Sequence, residues 1–283
     1  MMDKYNKMNL ELWNELTPIH ARSDFYDVEG FKKGKCTLKS IELTEVGDVS
    51  GKPLLHLQCH FGLDTLSWAR LGAKVTGVDF SDEAIALARS LSKETGIKAD
   101  FICSDIHKLP YVLNRKFDIV FTSYGVLVWL PDLKEWAEII VHFLKRNGIF
   151  YIVESHPFSH VFENSEGTTG YRVTQSYFHK SEPIQWEPGN DYADPDAKVA
   201  HSSNEWQHSL SDILNALISA GLTIEFLHEF PQCVYKAYPF MEQDKAGWWQ
   251  VKGNNIPHTF SLKATKTRNQ HVPERKKENG KRT

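Results

Sequence analysis

The sequence predicts an α/β fold built on a doubly wound, mainly parallel sheet. Three observations lead there. Residues 53–79 read as an apolar strand, a tight turn, a helix and a second strand ending in an acid, half of a mononucleotide-binding βαβ unit. The same rhythm continues to residue 157, giving five strands separated by helices. Within it, KFDIVFTSYG (116–125) is almost continuously apolar, as a central parallel strand covered on both faces must be.

The elements follow in order. Met8, Leu12 and Leu16 recur at four-residue spacing, so residues 3–20 predict an amphipathic helix stopping before Pro18. The next segment, 19–36, is polar and aromatic. It reads either as a surface linker or as a lid, because Trp13, His20, Phe25, Tyr26 and Phe31 are costly to leave exposed. Residues 37–49 read as a helix or turn, and Pro53–Leu57 as the first strand. A helix over 62–72 ends at Gly72, and the second strand runs to Asp79. Ser81 suits an N-cap, with Asp82 and Glu83 complementing the positive end of the next helix. The third strand is 99–105. Asp132 and Glu135 read as a capping box for a helix that Asn147-Gly148 closes, and 148–157 as strand five.

Residues 158–206 break the rhythm. Aromatics stand among Gly, Pro and acidic turns without helical period, predicting an inserted, partly β cap over the sheet's carboxyl edge. The helical stripe returns over 210–222, followed by strands at 223–230 and 258–266 with a second irregular stretch between them. The expected organisation is an N-terminal helix and lid (1–50), a core (51–156), the cap (157–206), completion of the sheet (207–266) and a disordered basic tail (267–283).

Composition narrows the function classes. The 283 residues are 41% hydrophobic and 24% charged, ordinary for a soluble protein. The net charge of −3 is uneven: residues 266–283 carry seven Lys/Arg against two Glu, which leaves −8 on the rest. So acidic a body repels phosphate backbones and argues against a nucleic-acid partner. Cys36, Cys59, Cys103 and Cys233 form no C-x-x-C pair and read as reduced thiols. With no apolar leader and no run of ~20 apolar residues, a cytoplasmic location is expected. No H-E-x-x-H or comparable set predicts a metal.

The segment LLHLQCHFGLDTLSWARLGAKVTGVDFSDEAIALAR resembles the class I S-adenosylmethionine-dependent methyltransferases over residues 53–153. The resemblance implies a Rossmann-like sheet of seven strands, the last antiparallel, with S-adenosylmethionine across its carboxyl edge. Gln58, His60 and Gly62 stand where the family usually has three glycines, and His56 where it usually has an acid. Either Gln58 and His60, with Cys59 between them, contact the donor through side chains, or the pocket is altered. Asp79 matches the acid that accepts both hydroxyls of a ribose diol, Phe80 would flank the adenine, and Ser81 would cap the next helix. Asp105 matches the acid meeting the adenine amino group, with Ile106 beside it. Ser123 and Tyr124, ending strand four, lie where donor and acceptor meet.

Methyl transfer needs chiefly alignment, because the sulfonium carbon is already activated. A general base matters only for an acceptor that loses a proton. Glu154 and His156, just after strand five, are the first candidates to line the acceptor pocket, ahead of His179, Glu205 and His208. Trp248-Trp249 reads as a further wall or as packed core. The expected function is methyl transfer to a small, planar or cyclic acceptor. A non-catalytic ligand-binding relative and a macromolecular methyltransferase are the alternatives; a nicotinamide enzyme would need a more glycine-rich turn than Q-C-H-F-G.

Overall fold

A computed structural model of the chain describes residues 4–189, 191–253 and 256–267. Its centre is a seven-stranded sheet. The first five strands are β1 (Pro53–Leu57), β2 (Lys74–Asp79), β3 (Asp100–Cys103), β4 (Phe117–Ser123) and β5 (Leu144–Ser155). Two short hairpins lie outside the sheet: β6 (Ile184–Trp186) with β7 (Ser203–Glu205), and β9 (Glu242–Gln243) with β10 (Trp249–Gln250). The sheet is completed by β8 (Thr223–Phe230) and β11 (Thr259–Thr265), giving the order β3-β2-β1-β4-β5-β11-β8. β11 runs antiparallel to both β5 and β8, so the antiparallel strand lies one place in from the edge.

The helices are α1 (Lys4–Arg22), α2 (Val28–Lys32), α3 (Ser40–Val46), α4 (Leu63–Arg70), α5 (Asp82–Thr95), α6 (Leu109–Val112), α7 (Leu133–Phe143) and α8 (Leu210–Ser219). Alternate strand residues send side chains to opposite faces. Leu55, Val120, Phe150 and Ile152 meet Trp136 and Ile140 of α7 and Ile213 of α8. Leu54, Ile119, Phe121 and Tyr151 meet Trp68 of α4 and Ile41 of α3. Both faces are covered, which is why the strands read as apolar runs.

Several local readings change. α1 continues through Pro18 to Arg22. Proline removes one helical hydrogen bond there, while His20, beyond it, is fully buried and anchors the last turn. Asp132 caps α7 by accepting from Lys134 N at 2.7 Å, but Glu135 lies 3.1 Å from His107 Nδ1 rather than closing a box. α7 stops at Phe143 and β5 begins at Leu144 with no connecting loop. The basic tail expected from 267 onward lies, apart from Thr267, outside the described residues.

α1 and the cap form one roof over the carboxyl ends of the strands. Asn9 Nδ2 donates to Asn204 O, and Asn204 N donates to Asn9 Oδ1, both at 2.9 Å. The Glu15 carboxylate accepts from Ala200 N at 2.8 Å and His201 N at 3.0 Å. Leu12 and Leu16 pack on Val199. No described helix is long and apolar enough to cross a membrane.

Candidate methyl-donor site

A cavity of about 1180 Å³ lies under the roof, at the point where the strand order reverses between β1 and β4. The loop after β1 forms one wall. Gln58, His60 and Gly62 have φ of +56°, +50° and +78°, so the loop keeps the alternating left-handed backbone that glycines adopt freely. For each of the two non-glycine residues that conformation costs roughly 1–2 kcal/mol. At Gly62 no side chain fits: a Cβ would stand 2.6 Å from the Phe101 ring. Gly77 of β2 is just as constrained, with Phe101 at 2.7 Å and Cys59 Sγ at 2.9 Å from a Cβ.

Asp79 ends β2 and lines the cavity. Its Oδ2 accepts from His60 N at 2.7 Å and its Oδ1 from Ser81 N at 3.0 Å. Each oxygen keeps acceptor capacity toward the cavity. Burial pushes its pKa up to about 6, against the backbone N–H groups of Ser81, His60 and Phe80, which hold it down. Gln58 donates from Nε2 to Val126 O at 3.0 Å, while its buried Oε1 has no partner among the described residues.

The remaining sequence-predicted positions divide. Cys59, Phe80, Asp105, Ile106, Ser123 and Tyr124 line this cavity. Asp105 Oδ1 accepts from His107 N at 2.9 Å, and Tyr124 donates to Glu42 Oε2 at 3.0 Å. Ser81 does not line it. Its fully buried hydroxyl accepts from Ala84 N and donates to Asn14 of α1 at 2.6 Å.

Glu154 and His156 correct the expectation that they line an acceptor pocket. Neither reaches the cavity. Glu154 Oε1 accepts from Gly125 N and Ser155 N, and Oε2 from Val126 N and Leu127 N. Four backbone donors saturate that carboxylate, and it holds the loop after β4. His156 Nε2 is 2.9 Å from Glu229 Oε1, and its Nδ1 accepts from Phe158 N. Of the other bases weighed, Glu205 lines the cavity, where burial raises its pKa. His208 Nε2 donates to Leu130 O at 2.7 Å and His179 is 3.0 Å from Gln207 O. Trp249 is a cavity wall, whereas Trp248 belongs to the core.

Two features escaped sequence reasoning. One is a buried chain of three residues from three segments. His20 Nε2 is 3.1 Å from Asp191 Oδ2, and His20 Nδ1 is 2.9 Å from His60 Nε2. A carboxylate only accepts, so a neutral His20 carries its proton on Nε2 and takes the His60 Nε2–H on Nδ1. The other is Asp64, in the first turn of α4, which lines the cavity. Its only signal in the sequence was an acid at a helix start.

Residues 54–148 match the family described as "Methyltransferase domain". That match covers about a third of the chain. The ubiquinone biosynthesis O-methyltransferase of Bordetella pertussis is 29% identical over 166 residues, 57% of this chain and 64% of that protein. The protein of the same name from Xanthomonas euvesicatoria pv. vesicatoria is 29% identical over 131 residues, 45% of this chain and 54% of that protein. The chain thus spans less than two thirds of the length of either relative. The crystal structure of an S-adenosylmethionine-dependent methyltransferase from Mesorhizobium loti shares the fold, with a TM-score of 0.55 at 20% identity over 83% of this chain and 99% of that one. The match ends at residue 148, so the roof residues from the cap lie outside the matched region.

Proposed function

We propose that this chain binds S-adenosylmethionine against β1 and β2 and transfers its methyl group to a small acceptor enclosed beneath the roof. The observation that carries this reading is Asp79. A carboxylate anchored by two backbone N–H groups, with acceptor capacity left on both oxygens, suits a vicinal diol at the end of β2. The residues present fit the donor: the loop keeps its left-handed turns, and Gln58 Oε1 is a buried acceptor without a partner among the described residues. When bound, the donor supplies an electrophilic methyl carbon. The chain's contribution is to hold donor and acceptor in line and keep water out.

The small-acceptor reading rests on enclosure and on the name of the relatives. Trp13 and Leu16 of α1, Trp186 and Glu205 of the cap, and Tyr235 and Trp249 of the later loop line the same cavity, Trp13 with its ring against His60. The relatives' O-methyltransferase names favour a hydroxyl acceptor, and Glu205 is then the carboxylate placed to take its proton. Calorimetric titration with S-adenosylmethionine and S-adenosylhomocysteine tests the donor assignment. Saturable binding below millimolar concentration is expected, and absence of heat for both would sink it.

A further inference from the structure

We propose that Asp64 of α4, and not the residue on β1, supplies the negative charge that faces the α-ammonium group of the donor. This rests on the S-adenosylmethionine reading above. The place on β1 where an acid is expected holds His56, a neutral group. Burial depresses its pKa to about 3, and both ring nitrogens are engaged. His56 Nδ1 lies 2.8 Å from Thr65 Oγ1, and Nε2 lies 3.4 Å from Ser123 Oγ. It has no negative charge to offer a cation.

The hydrogen bonds run from His56 to Asp64 in one consistent direction. Ser123 Oγ donates to Asp64 Oδ2 at 3.2 Å, so it accepts from His56 Nε2–H, which leaves Nδ1 to accept from Thr65. On the other oxygen, Thr37 Oγ1 donates to Asp64 Oδ1 at 2.6 Å, with Ser67 Oγ 3.0 Å behind it. Two neutral hydroxyls therefore aim the carboxylate at the cavity that the loop Gln58–Gly62 also lines. Among the described residues no Lys, Arg or His forms an ion pair with it. Burial raises the pKa of Asp64, while the two hydroxyls and the more distant charge of Lys39 hold it down, and a cation in the cavity adds the direct partner that no ion pair supplies. His56 supports Asp64 through Ser123.

Two ligands that share the adenosine but differ in the amino-acid part test the assignment. S-Adenosylhomocysteine carries the α-ammonium group; 5′-methylthioadenosine lacks it. Titrated into Asp64→Asn, the first is expected to lose at least about tenfold in affinity and the second less than about threefold. Asp64→Ser gives the same readout if asparagine disturbs the helix. Asp64→Glu, which retains the charge, is expected to keep the wild-type ratio of the two affinities within about threefold. Equal losses for both ligands, or no loss for S-adenosylhomocysteine, overturns the role of Asp64. Failure of the wild-type chain to bind either ligand overturns instead the donor reading on which it rests.

Discussion

Asp79 and His60 touch through a backbone N–H, and replacing each separates what the loop's backbone does from what its side chains do. In Asp79→Ala the acceptor proposed for both ribose hydroxyls of the donor disappears. Hydrogen bonds to a charged group contribute about 1.5–3 kcal/mol each. Losing two therefore costs at least about 3 kcal/mol, more than 100-fold in affinity. The His60 and Ser81 N–H groups also lose their partner. In His60→Gly the N–H to Asp79 survives and a left-handed residue becomes a glycine, which relieves roughly 1–2 kcal/mol. Against that, the ring contacts to Trp13, His20 and Phe61 are lost, at about 0.5–1.5 kcal/mol per aromatic pair. Both terms act on the stability of the loop rather than on a ligand contact, so the expected loss in donor affinity is below about tenfold. Titration of both variants with S-adenosylhomocysteine measures the difference. If His60→Gly is the more damaging change, the loop binds its ligand through side chains and the backbone reading is wrong.

Two further outcomes follow from the burial of carboxylates. Asp79 has its pKa raised to about 6, above the ~3.9 of an unfolded chain. Folding therefore favours its protonated form, and this residue adds stability as pH falls from 6 toward 4 and costs stability above that window. Donor affinity moves the opposite way, declining below pH 6 as the carboxylate is protonated. The difference in melting temperature between wild type and Asp79→Asn, followed against pH, should show this slope, and a flat difference counts against it. Glu154→Gln places an amide against four backbone donors and should destabilise the fold by about 1–3 kcal/mol. Its pH–rate profile should match wild type; a lost ionisation would restore Glu154 as a base.

The βα rhythm was legible because parallel strands buried on both faces must be apolar along their length, as Phe117–Ser123 is. Asp79 was legible because its place at the end of a strand fixes where it can point. Glu154 was misread on the same logic: it also sits near a strand's end, but its side chain turns toward the neighbouring β4 loop, whose N–H groups sequence cannot display. Pro18 marked a helix end that packing of His20 overrode. The roof was beyond local reading, because Asn9 and Asn204 pair across 195 residues of chain.

The run Asp191–His20–His60 joins the cap, the N-terminal helix and the donor loop through buried hydrogen bonds. On the proposed donor site, a ligand that tightens the cap therefore acts, through His20, on the loop that would cradle the donor. Such linkage is reciprocal: whatever factor an acceptor adds to donor affinity, the donor adds to acceptor affinity. Variation in the cap, outside the matched domain, then alters cofactor affinity without touching a cofactor contact. Evolving a new acceptor on this scaffold would retune the donor site at the same stroke.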